Sequence, residues 1–312
     1  MKRFLCMIFM LSLFVCAIFG GAKKETPENS GTLHIVATNF PSYDFVRAVA
    51  GGTANITLLL PPGAESHSFE PRPKDIITIQ NCDMFIYTGG ESEAWVDRIL
   101  GSMDFSKKKI IRMLDVVDAV EEEIVEGMQK EEDEEEVAYD EHIWTSPQNV
   151  IFIVRSIRDG LSEVDPVKAS LYRKNAENYT KSFDELDKEF QAIVDAGKRK
   201  TIIFGDRFPF RYFADAYGLT YFAAFPGCST ETEPAAATVA FLINKIKAEK
   251  IPVVFHLELS NEKMADTIAA ETGAKKLLFH AGHNISKKDF DSGLTFLEIQ
   301  QANVPRLREA LQ

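Results

Sequence analysis

The longest periodic segment of the chain lies near its middle and has the pattern of one long helix. Its apolar side chains alternate at spacings of four and three along one stripe: Tyr172, Ala176, Tyr179, Phe183, Leu186, Phe190 and Ile193. Asp165 and Pro166 supply a cap and a first helical position, and Gly197 supplies the stop. Such a helix, over residues 165–196, would be about 48 Å long at about 1.5 Å per residue. We therefore predict a stiff strut between two lobes rather than a coiled-coil arm, which needs a longer repeat.

On each side of this helix, short apolar runs alternate with helical patterns. The apolar runs of the first half are 33–37, 56–60, 84–87 and 109–114, and those of the second half are 201–204, 220–224, 253–257 and 276–279. The helical patterns between them are 42–50, 74–81 and 91–100, then 210–217, 234–247 and 261–272. This alternation predicts an α/β fold with two lobes, each a four-stranded parallel sheet flanked by helices, and a ligand cleft between the lobes.

The N-terminus has the features of a secretory signal peptide, because basic residues precede an apolar run over 4–19 that is short for a membrane span. Residues 13–16 are similar to a lipobox, which favours a lipid anchor on Cys16, whereas cleavage after Ala22 would give a simply secreted protein. We expect the protein to lie outside the cytoplasm. The predicted segments are a signal peptide over 1–22, a polar tether over 23–32, an N-terminal lobe over 33–164, the linker helix over 165–197 and a C-terminal lobe over 198–312.

The acidic charge of the chain is concentrated in one segment. The net charge is −12 at pH 7, and residues 121–141 contain twelve acidic residues and one lysine. The rest of the chain is close to neutral and lacks the basic face that nucleic-acid binding requires. An acidic run of this kind is usually a solvated loop, and loose gathering of cations is the alternative. Cys82 and Cys228 remain beyond the tether, and nothing in the sequence pairs them in a disulfide.

Histidines are the candidate metal ligands of this sequence. His67 follows the second predicted strand, His142 lies on a loop just before a predicted helix, and His280 closes the eighth strand. Ligands of open α/β sheets bind beyond the carboxyl ends of strands, so positions at element boundaries suit a binding site. Nitrogen donors held by a rigid scaffold suit a transition metal. His34 and His256 lie inside predicted strands, and we expect structural roles for them.

Three motifs resemble those of the zinc and manganese solute-binding proteins of ABC importers. Residues 62–71 (Pro-Gly-Ala-Glu-Ser-His-Ser-Phe-Glu-Pro) and 140–144 (Asp-Glu-His-Ile-Trp) are similar to the first and second histidine motifs of that family. The acidic run occupies the place of the charged loop of many zinc members. Residues 204–207 (Phe-Gly-Asp-Arg), with the aromatic residues after them, resemble the third motif. The resemblance covers nearly all of the chain beyond the tether and implies a metal-capturing protein that is not an enzyme.

This resemblance implies a metal site formed by His67, His142 and His280, with two departures from the family pattern. Gly205 stands where the family usually has a third ligand, and His280 stands where it usually has a carboxylate. The fourth donor stays open among water and five side chains, namely Asp206, Glu231, Glu258, His283 and Cys228. Three imidazoles favour zinc over manganese, although they do not exclude nickel, cobalt or copper. Because the imidazoles must be neutral, we expect binding to weaken as the pH falls through about 6.5.

Two other functions fit parts of the sequence. A secreted zinc hydrolase also holds zinc with three histidines, but the chain has no His-Glu-x-x-His helix and offers no convincing general base. A binding protein for a chelated metal or a small organic ligand would suit a wider, partly aromatic cleft near Arg207 and Phe210.

The resemblance also implies the partners of the protein. They are a divalent metal ion, an ABC transporter permease and, through the possible lipid anchor, the membrane surface. We expect no nucleic-acid partner and expect the protein to be a monomer. Because a strut helix resists wide hinge closure, we expect metal release to involve small lobe shifts and loop rearrangement around His142 or His280.

Overall fold

The structure, a computed structural model, describes residues 31–66, 68–128, 138–229 and 234–312. The predicted signal peptide and nearly all of the predicted tether lie outside these residues, as do His67, Glu231 and the centre of the acidic run. Within the described ranges, no helix is both long enough and apolar enough to cross a membrane.

The first lobe contains a parallel sheet of four strands. The strands are β1 (Leu33–Ala37), β2 (Ala54–Leu58), β3 (Met84–Tyr87) and β4 (Lys109–Arg112). Helices α1 (Phe40–Ala50), α2 (Pro73–Gln80) and α3 (Ala94–Ser102) connect them. The strand order is β2-β1-β3-β4. All four residues of β3 are buried, as expected for an inner strand of a sheet that is covered on both faces.

Two helices follow the first sheet. Helix α4 (Pro147–Val164) begins after a short 3₁₀ turn at Ile143–Thr145, and α5 (Ala169–Ala196) begins after a second such turn at Pro166–Lys168. The side chain of Asp165 caps the second turn by accepting the Lys168 N–H at 3.4 Å. Helix α5 has 28 residues, and its buried side chains include the predicted stripe from Tyr172 to Ile193, in which Tyr179 is partly buried.

The second lobe repeats the plan of the first. Its strands are β5 (Thr201–Phe208), β6 (Thr220–Pro226), β7 (Val253–His256) and β8 (Lys275–Leu278), and the parallel order is β6-β5-β7-β8. Its helices are α6 (Arg211–Tyr217), α7 (Ala236–Glu249), α8 (Lys263–Thr272), α9 (Lys287–Ser292) and α10 (Phe296–Leu311). The two sheets and the long helix confirm the predicted fold class.

A single apolar core joins the two lobes. It includes Ile35 of β1, Phe183 of α5 and Phe204 of β5, all of which are fully buried. Asp44 adds a polar junction at the same place, because one of its oxygens accepts the Tyr179 hydroxyl at 3.2 Å and the Phe296 N–H at 2.8 Å. The carboxylate thus connects α1, α5 and α10. The strut is therefore packed along its length against both lobes.

Candidate metal centre

A small cavity lies between the carboxyl ends of the two sheets. Its volume is about 70 Å³. The first lobe contributes the loop at Ala64–Ser66 together with His142, and the second lobe contributes Arg207, Glu258 and His283, among others. This is the position at which open α/β sheets bind ligands.

His142 is held rigidly at this cavity by the residue two positions before it. One carboxylate oxygen of Asp140 accepts the His142 backbone N–H at 2.7 Å and lies 3.0 Å from Nδ1 of the ring. A proton on Nδ1 satisfies that contact and places the electron pair on Nε2, which is how carboxylates commonly orient metal-binding histidines. Burial would lower the pKa of His142, but the charge and hydrogen bond of Asp140 outweigh it and raise this pKa above its usual value.

His283 faces His142 from the second lobe. The centroids of the two rings are 5.4 Å apart, and the ring planes are nearly perpendicular. The ring of Trp144 lies 4.9 Å from that of His283, and its indole N–H donates to Ala281 O at 3.1 Å. Nδ1 of His283 also lies 3.3 Å from the Ser66 hydroxyl. Because Ser66 directly precedes His67, the loop that carries His67 reaches this cavity.

The structure does not bring His280 to the cavity with His142. The Gly282 N–H donates to Nδ1 of His280 at 3.0 Å, and this nitrogen also lies 3.3 Å from a Glu258 oxygen. The backbone N–H of His280 donates to Asn303 at 3.0 Å. These contacts tie the His280 ring and backbone into the turn after β8. The turn brings His283 to the cavity instead.

Glu258 stabilises the same turn. Its two oxygens accept the backbone N–H groups of Ala281 at 2.8 Å and His283 at 3.1 Å. Burial opposes ionisation of this carboxyl, but the charge and hydrogen bond of His280 and the backbone donors outweigh burial and hold the Glu258 pKa below its usual value. Glu258 is therefore a positioning residue that fixes the backbone of His283.

Gly205, which stands at the predicted third-ligand position, has a packing role. A Cβ atom at this position would lie 2.7 Å from the Cα of Ala265, so only glycine lets α8 approach β5 this closely. The pairing of β5 with β6 shifts register between Phe204 and Arg207, which marks a bulge. Beyond the bulge, the Arg207 side chain lines the cavity, and its Nη1 lies 3.7 Å from an oxygen of Glu65 in the first lobe.

Two other fourth-donor candidates, Asp206 and Cys228, lie near the cavity. Asp206 accepts the N–H groups of Arg207 at 2.9 Å and Leu257 at 3.1 Å. Cys228 follows the cavity-lining Gly227, and burial keeps the pKa of its thiol well above the usual value. Cys228 and Cys82 are both free thiols, so neither forms a disulfide.

The described residues alone do not complete a metal site. Within those ranges, no three His, Cys, Asp or Glu side chains form a group that could hold a metal ion. His142 and His283 face each other from opposite lobes, and His67, another predicted ligand, falls outside the described residues. His142 was predicted from the sequence as a ligand, and His283 only as a possible fourth donor. The orienting role of Asp140 was not predicted. The position of Asp140, two residues before a candidate ligand, is the signal that could have suggested this role.

Comparison with known proteins identifies the family. Residues 35–310 match the zinc-uptake complex component A family, described as periplasmic. The chain belongs to this family. Zinc-binding lipoprotein AdcA of Streptococcus pneumoniae strain R6 is 32% identical over 306 residues, which cover 97% of this chain and 60% of AdcA. High-affinity zinc uptake system protein ZnuA of Bacillus subtilis is 31% identical over 302 residues, 96% of this family member and 94% of that protein. The chain thus spans about 60% of AdcA.

Solved structures agree with this assignment. The crystal structure of the Zn(II)-bound ZnuA-like domain of Streptococcus pneumoniae AdcA has a TM-score of 0.75 and 31% identity, covering 90% of this family member and 99% of that chain. The crystal structure of the metal-dependent lipoprotein YcdH of Bacillus subtilis has a TM-score of 0.76 and 30% identity. The match covers 89% of this family member and 99% of that chain. The predicted family and two-lobed fold are confirmed.

Proposed function

We propose that this protein captures zinc outside the cytoplasm and delivers it to the permease of an ABC importer. One observation carries the proposal: His142 and His283 face each other across the cleft, with ring centroids 5.4 Å apart, and an oxygen of Asp140 lies 3.0 Å from Nδ1 of His142. Neutral imidazoles oriented in this way suit zinc. The relatives support the same cargo, since AdcA is a zinc-binding lipoprotein and ZnuA a zinc uptake protein.

The size of the cavity favours an ion over a larger ligand. Sites for small organic molecules usually enclose about 300 to 1,000 Å³. This cavity encloses about 70 Å³, which is about the volume of two water molecules at about 30 Å³ each. Such a space suits a metal ion with a small additional ligand, and a neighbouring cavity of about 260 Å³ shares Glu65 and Arg207 with it. The family is a component of zinc uptake, so a secreted hydrolase is not supported.

For the ligands, we infer His67, His142 and His283, in place of the predicted set that included His280. His283 lines the cavity, whereas the contacts of His280 hold the turn after β8. Ser66, which contacts His283, directly precedes His67 in the chain. This set draws donors from both lobes, as expected for an ion held in a cleft.

We also infer that the protein is exported and lipid-anchored at Cys16, and that it acts as a monomer. The lipobox-like residues 13–16 support an anchor, as does the lipoprotein nature of AdcA. Asp140, near the end of the acidic run at 121–141, is buried against His142, so this part of the run belongs to the proposed zinc site rather than to a solvated loop. Metabolic labelling with a radioactive fatty acid tests the anchor, because a Cys16→Ala variant should then lose the label.

Single alanine substitutions test the ligand set directly. We expect His142→Ala, His283→Ala and His67→Ala each to weaken zinc binding by about 100-fold or more, since loss of a ligand should exceed the 10- to 100-fold typical of an orienting partner. His280→Ala is the matched control and should retain the wild-type affinity within about threefold, because a loosened turn disturbs His283 only indirectly. Zinc affinity is measured by competition with a chromophoric chelator. A large loss in the control variant with none in His283→Ala would restore His280 to the ligand set.

A further inference from the structure

Tyr212 crosses the boundary between the lobes and contacts the backbone of the loop that carries His142. It lies on α6 of the second lobe and is 6% exposed, and its hydroxyl donates to Asp140 O at 2.8 Å. The same hydroxyl oxygen accepts the Val120 N–H at 3.2 Å. A phenol hydroxyl can donate one hydrogen bond and accept another, so both contacts form together. One side chain of the second lobe is thus bonded to two backbone groups of the first.

The two first-lobe residues are also bonded to each other. The Asp140 N–H donates to Val120 O at 2.9 Å, so three hydrogen bonds close a ring through Val120, Asp140 and the Tyr212 hydroxyl. Next to this ring, Glu121 and Tyr139 form an antiparallel bridge. A buried backbone group that loses its hydrogen-bond partner is costly, so the ring fixes the backbone at Asp140.

Asp140 passes this constraint on to the metal site. Its carbonyl faces Tyr212 of the second lobe, whereas its carboxylate holds His142 of the first. One carboxylate oxygen accepts the His142 backbone N–H at 2.7 Å and lies 3.0 Å from Nδ1 of the ring. Binding groups must be held to within about 0.5 Å of their productive geometry by the contacts behind them. A displaced Asp140 would therefore misplace the His142 ring.

We propose that Tyr212 is a positioning residue for metal capture, which acts through Asp140 to orient His142. The inference rests on the proposed zinc capture at His142. It means that the first-lobe ligand is correctly placed only while α6 of the second lobe is docked on its loop, so zinc affinity and this docking are thermodynamically linked. Among the described residues, those that line the cavity do not include Tyr212. Loss of its hydroxyl should nevertheless weaken zinc binding.

The test compares Tyr212→Phe with the matched control Tyr217→Phe. Tyr217 lies on the same helix and is 5% exposed, but its hydroxyl donates to an oxygen of Asp187 on α5 at 2.7 Å instead of to the ligand loop. Both variants keep a buried ring and lose one bonded hydroxyl, so both should lower the free energy of unfolding of the metal-free protein in urea. Only Tyr212→Phe should weaken zinc binding in chelator competition, by about tenfold, the lower end of the range for groups that support a ligand.

A double-mutant cycle separates positioning from a general loss of stability. In an Asp140→Ala background, the carboxylate that orients His142 is gone, so Tyr212 has no side chain left to position. Adding Tyr212→Phe to this background should change the zinc affinity by less than about twofold. Independent effects would instead multiply and give a further loss of about tenfold.

Three results overturn the inference. The first is a Tyr212→Phe variant that binds zinc within about twofold of the wild type, and the second is an equal loss of affinity in Tyr217→Phe. The third is a loss from Tyr212→Phe that is as large in the Asp140→Ala background as in the wild type. In all three cases the wild type still binds zinc, so the proposed function stands. If the wild type binds no zinc, the proposed function fails and this inference fails with it.

Discussion

Replacing Asp140 by asparagine should weaken zinc binding without removing any ligand. Asp140 is 1% exposed, and one of its oxygens serves both the backbone N–H of His142 and the Nδ1 of its ring. Asparagine is nearly the same size and keeps a carbonyl acceptor, so the loop should remain folded. What the variant loses is the negative charge that orients the ring and strengthens its basicity.

The expected loss follows from these two contacts. Hydrogen bonds to a charged group contribute about 1.5 to 3 kcal/mol each, and asparagine retains part of both. Removal of an outer carboxylate at metal sites weakens binding by about 10- to 100-fold, which corresponds to about 1.4 to 2.8 kcal/mol. For Asp140→Asn we expect a loss of about 30-fold, or about 2 kcal/mol, near the middle of that range.

Chelator competition at pH 7.5 measures this loss, with Asp195→Asn on the exposed face of α5 as the charge-matched control. The control should bind zinc as the wild type does, because its charge lies far along the strut. Thermal unfolding of the metal-free proteins separates affinity from stability. If Asp140→Asn bound zinc within about twofold of wild type, the carboxylate would not orient a ligand, and His142 would lose its main support as one.

Five further outcomes follow from the fold and the site. Burial raises the pKa of Glu93 to about 7 from 4.5, so the stability it contributes is present below pH 4.5 and is lost as the pH rises through 7. Urea unfolding of Glu93→Gln should lack this decline of up to about 3 kcal/mol. Asp44→Ala should lower the free energy of unfolding by about 2 to 3 kcal/mol, and Asp44→Asn by less, in the same assay. Gly205→Ala should cost about 1 to 3 kcal/mol because its Cβ meets the Ala265 backbone. Zinc affinity should begin to decline at a pH above 6.5, because Asp140 raises the pKa of His142 above its usual value, and chelator competition can measure this decline. Scattering curves of apo and zinc-loaded protein should nearly coincide.

The sequence predicted the elements well where one physical signal dominated. The stripe of α5 and the apolar strands were predictable because periodicity reports which side chains are buried. Strand ends were less predictable. The second apolar run was predicted as 56–60, yet β2 ends at Leu58 while Leu59 and Leu60 remain buried and donate to Ala37 and Thr38. Apolar character indicates burial, and burial continues beyond the end of the strand.

The site was less predictable, because neighbouring residues on one loop compete for one position. His280 and His283 have the same chemistry, and which ring reaches the cleft depends on Glu258 and Asn303, which lie far away in sequence. Likewise, the one-residue shift in β5 decides which side chain of the third motif lines the cavity. Tertiary contacts of this kind leave no local pattern, so the motifs predict where a site lies but not which side chain lines the cavity.

The contacts between the lobes limit how a bound ion can leave. The Asn284 side chain donates to Pro61 O at 2.9 Å and Ala64 O at 2.8 Å, and the Trp144 indole reaches Ala281 O, so polar contacts cross the cleft beside the site. Beneath them, the shared apolar core and the Asp44 junction pack both lobes against α5. A wide separation of the two lobes would break these hydrogen bonds and the packing of the core at the same time. Packed interfaces shift between discrete arrangements and do not deform gradually. Release is less costly through the loops that carry the proposed ligands, where the contacts between the lobes include hydrogen bonds, ring contacts and the Arg207–Glu65 ion pair.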